Sequence, residues 1–249
     1  AAVNGSANFA SWNWKAGGTA VSNTDGSITS SVSANTTSGF SIGKTTGTLS
    51  SGDITVGHGL GTSNIGMVLW KRTDGVSNWQ VYHKSLGSGL LQLNSTGAVS
   101  TGSAFWGTPT STTFQVNSPL YGAGETYVYY CFAEKKGFSK IGSYTGNGNA
   151  DGTFVYTGFK PAFVLVDNIN QADDWYMFDN KRSSFNQVQA NLKPNTSSAE
   201  ASSTSYAFDF LSNGFKLRSS TGAVNNNGDT LIYMAFAENP LVGTNGIPA

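Results

Sequence analysis

The sequence predicts an all-β protein: two tandem, related β-sandwich modules of jelly-roll-like form, preceded by an N-terminal extended arm. Three observations lead there. The chain repeats itself: residues 126–134, Thr-Tyr-Val-Tyr-Tyr-Cys-Phe-Ala-Glu, return at 230–238 as Thr-Leu-Ile-Tyr-Met-Ala-Phe-Ala-Glu, with five of nine positions identical. Apolar residues alternate with a period of two in the long apolar segments, as one-sided and two-sided strands require. Helical spacing is nearly absent, and its nearest approach is a turn near 183–192.

The repeat reaches well beyond its clearest segment. Phe40-Ser41 matches Phe138-Ser139, and His58-Gly59-Leu60 matches Thr157-Gly158-Phe159. Trp79 matches Trp175, Tyr82 matches Phe178, and Phe114-Gln115-Val116 matches Phe215-Lys216-Leu217. The offset drifts only from 96 to 104, as expected when loops change length and strands do not. A period this long is a domain, not a solenoid unit. The expected organisation is an arm or the end of an upstream domain at 1–38, one sandwich at 39–136 and a second at 137–249.

The arm region comes first in the chain. Trp12-Asn13-Trp14-Lys15 followed by Gly17-Gly18 reads as a strand end and a tight turn. The stretch 22–38 is poor in large apolar residues and reads as an extended arm or a few edge strands. Met67-Val68-Leu69-Trp70 and Phe163-Val164-Leu165-Val166 read as short strands. Their hairpin partners are Trp79-Gln80-Val81-Tyr82 and Trp175-Tyr176-Met177-Phe178. In 127–133, Tyr127, Tyr129, Cys131 and Ala133 face one way, and Val128, Tyr130 and Phe132 the other. Both sets are apolar, so this strand is expected to be central and covered on both faces. Residues 231–237 read likewise. Phe208–Leu211 and Phe215–Leu217 flank Asn213-Gly214, a strong hairpin signal. Several short strands per module point to sandwiches.

Composition narrows the function classes. Only 11% of the 249 residues are charged and the net charge is zero, with no basic stripe for nucleic acid. Aromatics reach 12% and glycines number 31, which suits a rigid β protein with an uncharged polar surface. No apolar run is long enough for a membrane helix, so no membrane insertion is expected. The single cysteine, Cys131, cannot form an internal disulfide and reads as a small buried apolar residue. The chain opens Ala-Ala-Val without Met or a visible signal peptide, which suggests a processed product or part of a longer protein.

A set of strand and turn signatures runs through the chain: Lys15-Ala16-Gly17-Gly18, Val56-Gly57-His58-Gly59-Leu60, Tyr130-Cys131-Phe132-Ala133-Glu134, Gly142-Ser143-Tyr144-Thr145-Gly146-Asn147-Gly148, Val155-Tyr156-Thr157-Gly158-Phe159, Leu211-Ser212-Asn213-Gly214-Phe215-Lys216 and Met234-Ala235-Phe236-Ala237-Glu238. Over nearly its whole length the chain resembles a repeated domain of bacteriophage structural proteins, tail-fibre-like or other virion surface proteins frequent in marine phages. The resemblance implies a non-enzymatic virion protein that assembles with other subunits, as a homo-oligomer, on the particle surface, with host-receptor contact as a further task. It brings no defined active site and no cofactor. The alternative is a lectin-like carbohydrate-binding module of a fibre or secreted protein.

Candidate chemistry is sparse. His58 lies in a Gly-His-Gly turn and His83 at a strand end, where it is expected to be exposed; the second repeat has Thr157 and Asp179 there. No nucleophile elbow or zinc-helix motif accompanies them. Asn147-x-Asn149-x-Asp151-Gly152 imitates the opening of a calcium loop, but Gly158 stands where the bidentate glutamate belongs. Asp167, Asp173, Asp174 and Asp179 cluster in sequence; adjacent Asp173 and Asp174 would project oppositely in an extended chain, unlike a glycosidase pair facing across a cleft. Glu134 and Glu238 recur together and are expected to accept hydrogen bonds from neighbouring loops. Trp12, Trp14, Trp106 and Tyr121 are the candidates for a glycan or subunit contact, whereas Trp79 and Trp175 read as core anchors.

Overall fold

The computed structural model describes residues 8–48 and 52–240. The outer ends of the first and last expected segments, 1–7 and 241–249, lie outside the described residues. Eighteen strands follow one another: β1 (Val21–Asn23), β2 (Ser30–Asn35), β3 (Phe40–Thr46), β4 (Asp53–Gly57), β5 (Ile65–Arg72), β6 (Gln80–His83), β7 (Leu91–Gln92), β8 (Thr113–Asn117), β9 (Thr126–Ala133), β10 (Ser139–Thr145), β11 (Phe154–Tyr156), β12 (Pro161–Asn168), β13 (Tyr176–Asp179), β14 (Ala190–Leu192), β15 (Ala201–Ser202), β16 (Phe208–Leu211), β17 (Gly214–Leu217) and β18 (Thr230–Ala237). The fold is nearly all β. One α-helical turn, Gly222–Asn225, appears where no helical pattern is legible, and 183–192 carries no helix.

The strands form four antiparallel sheets. The first large sheet has the order β1-β2-β3-β9-β5-β6-β7, and a small sheet pairs β4 with β8. The second large sheet has the order β10-β18-β12-β13-β14-β15, and its small companion is β11-β17-β16. The order β3-β9-β5-β6-β7 thus recurs as β10-β18-β12-β13-β14. A bulge interrupts pairing at Ile65/Met67 in one half and at Pro161/Phe163 in the other.

Alternation on the central strands explains the layering. Tyr127, Tyr129, Cys131 and Ala133 pack with Ile54, Val56, Phe114 and Val116 of the small sheet. Leu231, Tyr233, Ala235 and Ala237 do the same with Val155, Phe208, Phe215 and Leu217. The opposite faces meet each other. Phe132, Met67, Val81 and Leu91 pack against Phe163, Leu165, Ile232, Met234 and Phe236 in a third core. The molecule is therefore a four-layer stack, small-large-large-small, and its middle layer is shared. Burying one such side chain contributes about 1.5–3 kcal/mol, so the shared layer binds the halves firmly.

The segment expected as an arm or a few edge strands forms the edge strands and is not separate from the first half: β2 pairs with β3 over six residues, and Ile28 and Val32 are buried in that core. The serine-rich sequence hides this, because on β2 a single large apolar residue, Val32, does the packing. The pairing of Phe40-Ser41 with Phe138-Ser139 is off by one. Phe40 lies opposite Phe132, whereas Ser139 lies opposite Phe236. What fixes the register is glycine. Gly43 faces Tyr129 and Gly142 faces Tyr233, and a Cβ on Gly43 would sit 2.1 Å from the Tyr129 ring.

Candidate functional site

At the margin of the third core, half-buried apolar side chains of the first large sheet form a groove. Ile42, Leu69, Tyr130 and Leu93 come from four strands or their flanks, and Trp79 enters just before β6. Trp12 and Trp14 of the N-terminal segment form a wall, enclosing a volume of about 440 Å³. Tyr130 stacks on Phe40 with centroids 6.5 Å apart, and Trp79 lies 6.1 Å from Tyr130. The backbone N–H of Trp79 donates to Asn94 Oδ1 at 2.8 Å, which anchors the chain where the indole enters the groove. Ring faces over an uncharged rim, with Asn13 on it, can stack on the apolar face of a sugar or on another aromatic side chain.

The four expected contact residues divide evenly. Trp14 is half-buried among Phe132, Phe163 and Phe236. Trp12 is half-buried between Phe163 and the Arg182 guanidinium, which sits 5.4 Å above its ring. Trp106 and Tyr121 are buried and belong to the first core, so they cannot meet a ligand. Trp106 lies in a Gly- and Ser-rich segment that reads as loop, but a bridge to Val116 draws it inward. Tyr121 donates its hydroxyl to the Gly52 carbonyl at 2.7 Å. Trp175 is a core anchor, with Nε1 donating to the Gln92 carbonyl across the halves. Trp79 is half-exposed in the groove, so the two matched tryptophans differ. Tyr130, Ile42, Leu69 and Leu93 escaped sequence reasoning because alternation marks a face as apolar without saying whether anything covers it.

Both histidines hold loops. His58 Nδ1 accepts the Leu60 N–H at 3.0 Å, and Nε2 donates to the Thr110 carbonyl at 3.3 Å. His83 is not an exposed strand end: it is 1% exposed, because its strand ends beneath the second half. Its Nδ1 accepts the Ser85 N–H and its Nε2 donates to the Tyr233 carbonyl of β18 at 3.2 Å. Burial pushes the His83 pKa down to about 4 and lowers that of His58. Each ring is held neutral with both nitrogens engaged. The buried Cys131 thiol is pushed up by desolvation and is no nucleophile at neutral pH.

The duplicated glutamates behave as expected. Glu134 accepts the Ile141 N–H at 2.8 Å and pairs with Lys84 at 2.7 Å and Lys140 at 3.4 Å, joining the halves. Burial disfavours its charge, but these partners outweigh burial and hold its carboxyl below the ordinary value. Glu238 accepts from Asn180 and pairs with Lys160. The other carboxylates are scattered among tasks. Asp179 caps the turn at Lys181 and Arg182, and Asp174 pairs with Lys193 and Asn195. Asp173 accepts the Asp174 N–H. Asp167 is buried with Oδ2 unpartnered, and burial, with Asp173 and Asp174 nearby, raises its pKa well above the usual value. In the calcium-like loop, Asn147 and Asn149 accept N–H groups two residues on, and Asp151 pairs with Lys216 and Arg218. Those ammonium and guanidinium groups stand where a cation would need the carboxylate. Among the described residues no group of three or more His, Cys, Asp or Glu is placed to hold a metal ion.

Residues 1–240 match a domain of unknown function, DUF7483, and the chain belongs to that family. No curated protein and no solved structure matches the chain.

Proposed function

We propose that this chain is a non-enzymatic structural protein of a bacteriophage particle, a tail fibre or another surface component, working through its surfaces in an oligomer. The resemblance in its strand and turn signatures motivates the reading. The observation that carries it is the use of the titratable groups. His58, His83, Glu134, Glu238, Asp174 and Asp179 each hold a loop or join the halves. We further infer that the two halves are copies of one module. Their common strand order, matching bulges and equivalent loop caps support this. The test is mass spectrometry of density-purified phage particles produced in the native host. Peptides of this chain at stoichiometric abundance support the proposal, and their confinement to the unassembled fraction would overturn it.

The groove favours a second reading, a carbohydrate-binding module. Trp79 and Tyr130 offer ring faces beside the uncharged Asn13. Titration with bacterial surface polysaccharide, followed by tryptophan fluorescence, separates the two. Binding that is abolished by Trp79→Ala selects the glycan reading for this groove.

A further inference from the structure

The two halves differ on one side of the sandwich. In the first half, β2 covers the edge of β3, with Ser31 opposite Lys44 and Ser33 opposite Ile42. The same segment closes the small sheet: Ile28 bridges Val56, and the Ser27 N–H donates to Thr55 Oγ1 at 2.8 Å. In the second half the equivalent strands, β10 and β11, are the edges of their sheets, and among the described residues no strand covers them. The exposed rings of Phe154 and Tyr156, 43% and 65% accessible, stand on β11 where the first half has its cover.

The groups that β10 leaves open are specific. Ser139 donates its N–H to Lys135 and Ile141 donates to Glu134, so residues of this parity point away from β18. Thr145 already accepts at its carbonyl from Thr153 Oγ1 at 2.7 Å. That leaves the Ile141 carbonyl, both groups of Ser143 and the Thr145 N–H. This set is self-complementary. An antiparallel copy centred on Ser143 would place Ser143 against Ser143 and Ile141 against Thr145. The central pair exchanges two hydrogen bonds, and each Thr145 N–H meets an Ile141 carbonyl. In that register the Ile141 N–H also faces the Thr145 carbonyl, so the second strand replaces the Glu134 carboxylate and the Thr153 hydroxyl as their partners.

We propose that β10 pairs with β10 of a second copy of this chain, in an isologous dimer that continues the large sheet across the two-fold axis. The first half shows what such an edge accepts: an antiparallel strand. Exposed edges otherwise invite indiscriminate pairing. The proposal rests on the reading that the protein acts by assembly, and it names the surface.

The full chain is tested by sedimentation equilibrium. The wild type is expected to dimerise in the micromolar range. Ser143→Pro removes an N–H that points away from β18 and should weaken the dimer about tenfold or more while leaving the circular dichroism unchanged. Ser143→Asp and Ser143→Lys should each be monomeric, because like charges then face each other, and an equimolar mixture should form the heterodimer. A monomeric wild type overturns the proposal, as does a dimer insensitive to all three substitutions. Either result leaves the particle reading intact if the chain is still found in purified phage. A dimer with the expected charge rescue, from a chain missing in particles, keeps the interface and removes the reading.

Discussion

The two halves solve the same backbone problems with different side chains. At the loop after the small-sheet edge strand, Gly59 and Gly158 both take positive φ, 67° and 84°. The N–H two residues past the preceding position is accepted by His58 Nδ1 in one half and by Thr157 Oγ1 in the other. After the β6 and β13 strands, His83 Nδ1 accepts from Ser85, and Asp179 Oδ1 accepts from Lys181 and Arg182. Before those strands, Asn94 and Asn195 accept the N–H of Trp79 and Trp175. The fold demands an acceptor at each loop and leaves its chemistry open. Imidazole serves in the first half alone, so acid sensitivity above the carboxylate range belongs there.

The largest expected effect tests whether the halves contribute equally to the middle layer. Phe132→Ala and Phe236→Ala should each destabilise by about 3–5 kcal/mol in urea unfolding. The rings face each other at 6.2 Å, so the double variant should lose measurably less than the sum. An additive pair would mean that the layer is not shared. Matched tryptophans should then separate. Trp175→Ala should cost about 3–5 kcal/mol and Trp79→Ala roughly 1 kcal/mol, because the former is buried and the latter half-exposed. Equal losses would place Trp79 in the core after all.

The next effect is a pH dependence. His83 titrates below its unfolded value of 6.5, so the unfolded chain takes up the proton first. Stability is therefore full above pH about 6.5, falls as the pH drops toward 4, and stops falling from this source below that. The span is worth about 3 kcal/mol. His83→Asn keeps an acceptor for Ser85 and should flatten the profile between pH 6.5 and 4.5, whatever it does to absolute stability. A profile unchanged by the substitution would assign the acid loss to other groups. The smallest effect is a transplant. His58→Thr installs the second half's acceptor but removes the Nε2 donor to the Thr110 carbonyl at a buried position, and should cost about 1–2 kcal/mol at pH 7. A loss above about 2 kcal/mol, the range of a broken buried network, would show that the loops are not interchangeable.

Much of this architecture was legible in the sequence. Tyr129 and Phe132, on opposite faces of one strand, are both apolar, and that alternation announces a central strand with two cores. It does not say which sheet covers which face, so the stacking of the halves and the groove at Tyr130 and Leu69 stayed hidden. The Phe-Ser pairs mislead by one residue because the same dipeptide recurs one place out of register, whereas the packing of Gly43 and Gly142 on tyrosine rings marks the equivalent positions. The Ser-rich strand β2 concealed its place in the sheet; removing 1–38 would strip Ile28 and Val32 from the first core, so the first half would not stay folded without it. For the site, Trp12 and Trp14 were legible as aromatics in a polar segment. Trp106 and Tyr121 were not, since sequence cannot tell a buried loop aromatic from an exposed one.

The link between the halves is short. Phe138 donates its N–H back to the Lys135 carbonyl, and the chain crosses from one large sheet to the other within residues 134–139. A protease that cut at Lys135 or Lys136 would sever the covalent connection and little else. The two fragments would remain locked through Phe132, Phe236 and their neighbours, and would migrate as one body until a denaturant parted them. After such a cut the apolar seam, not the polypeptide joint, would keep the halves together.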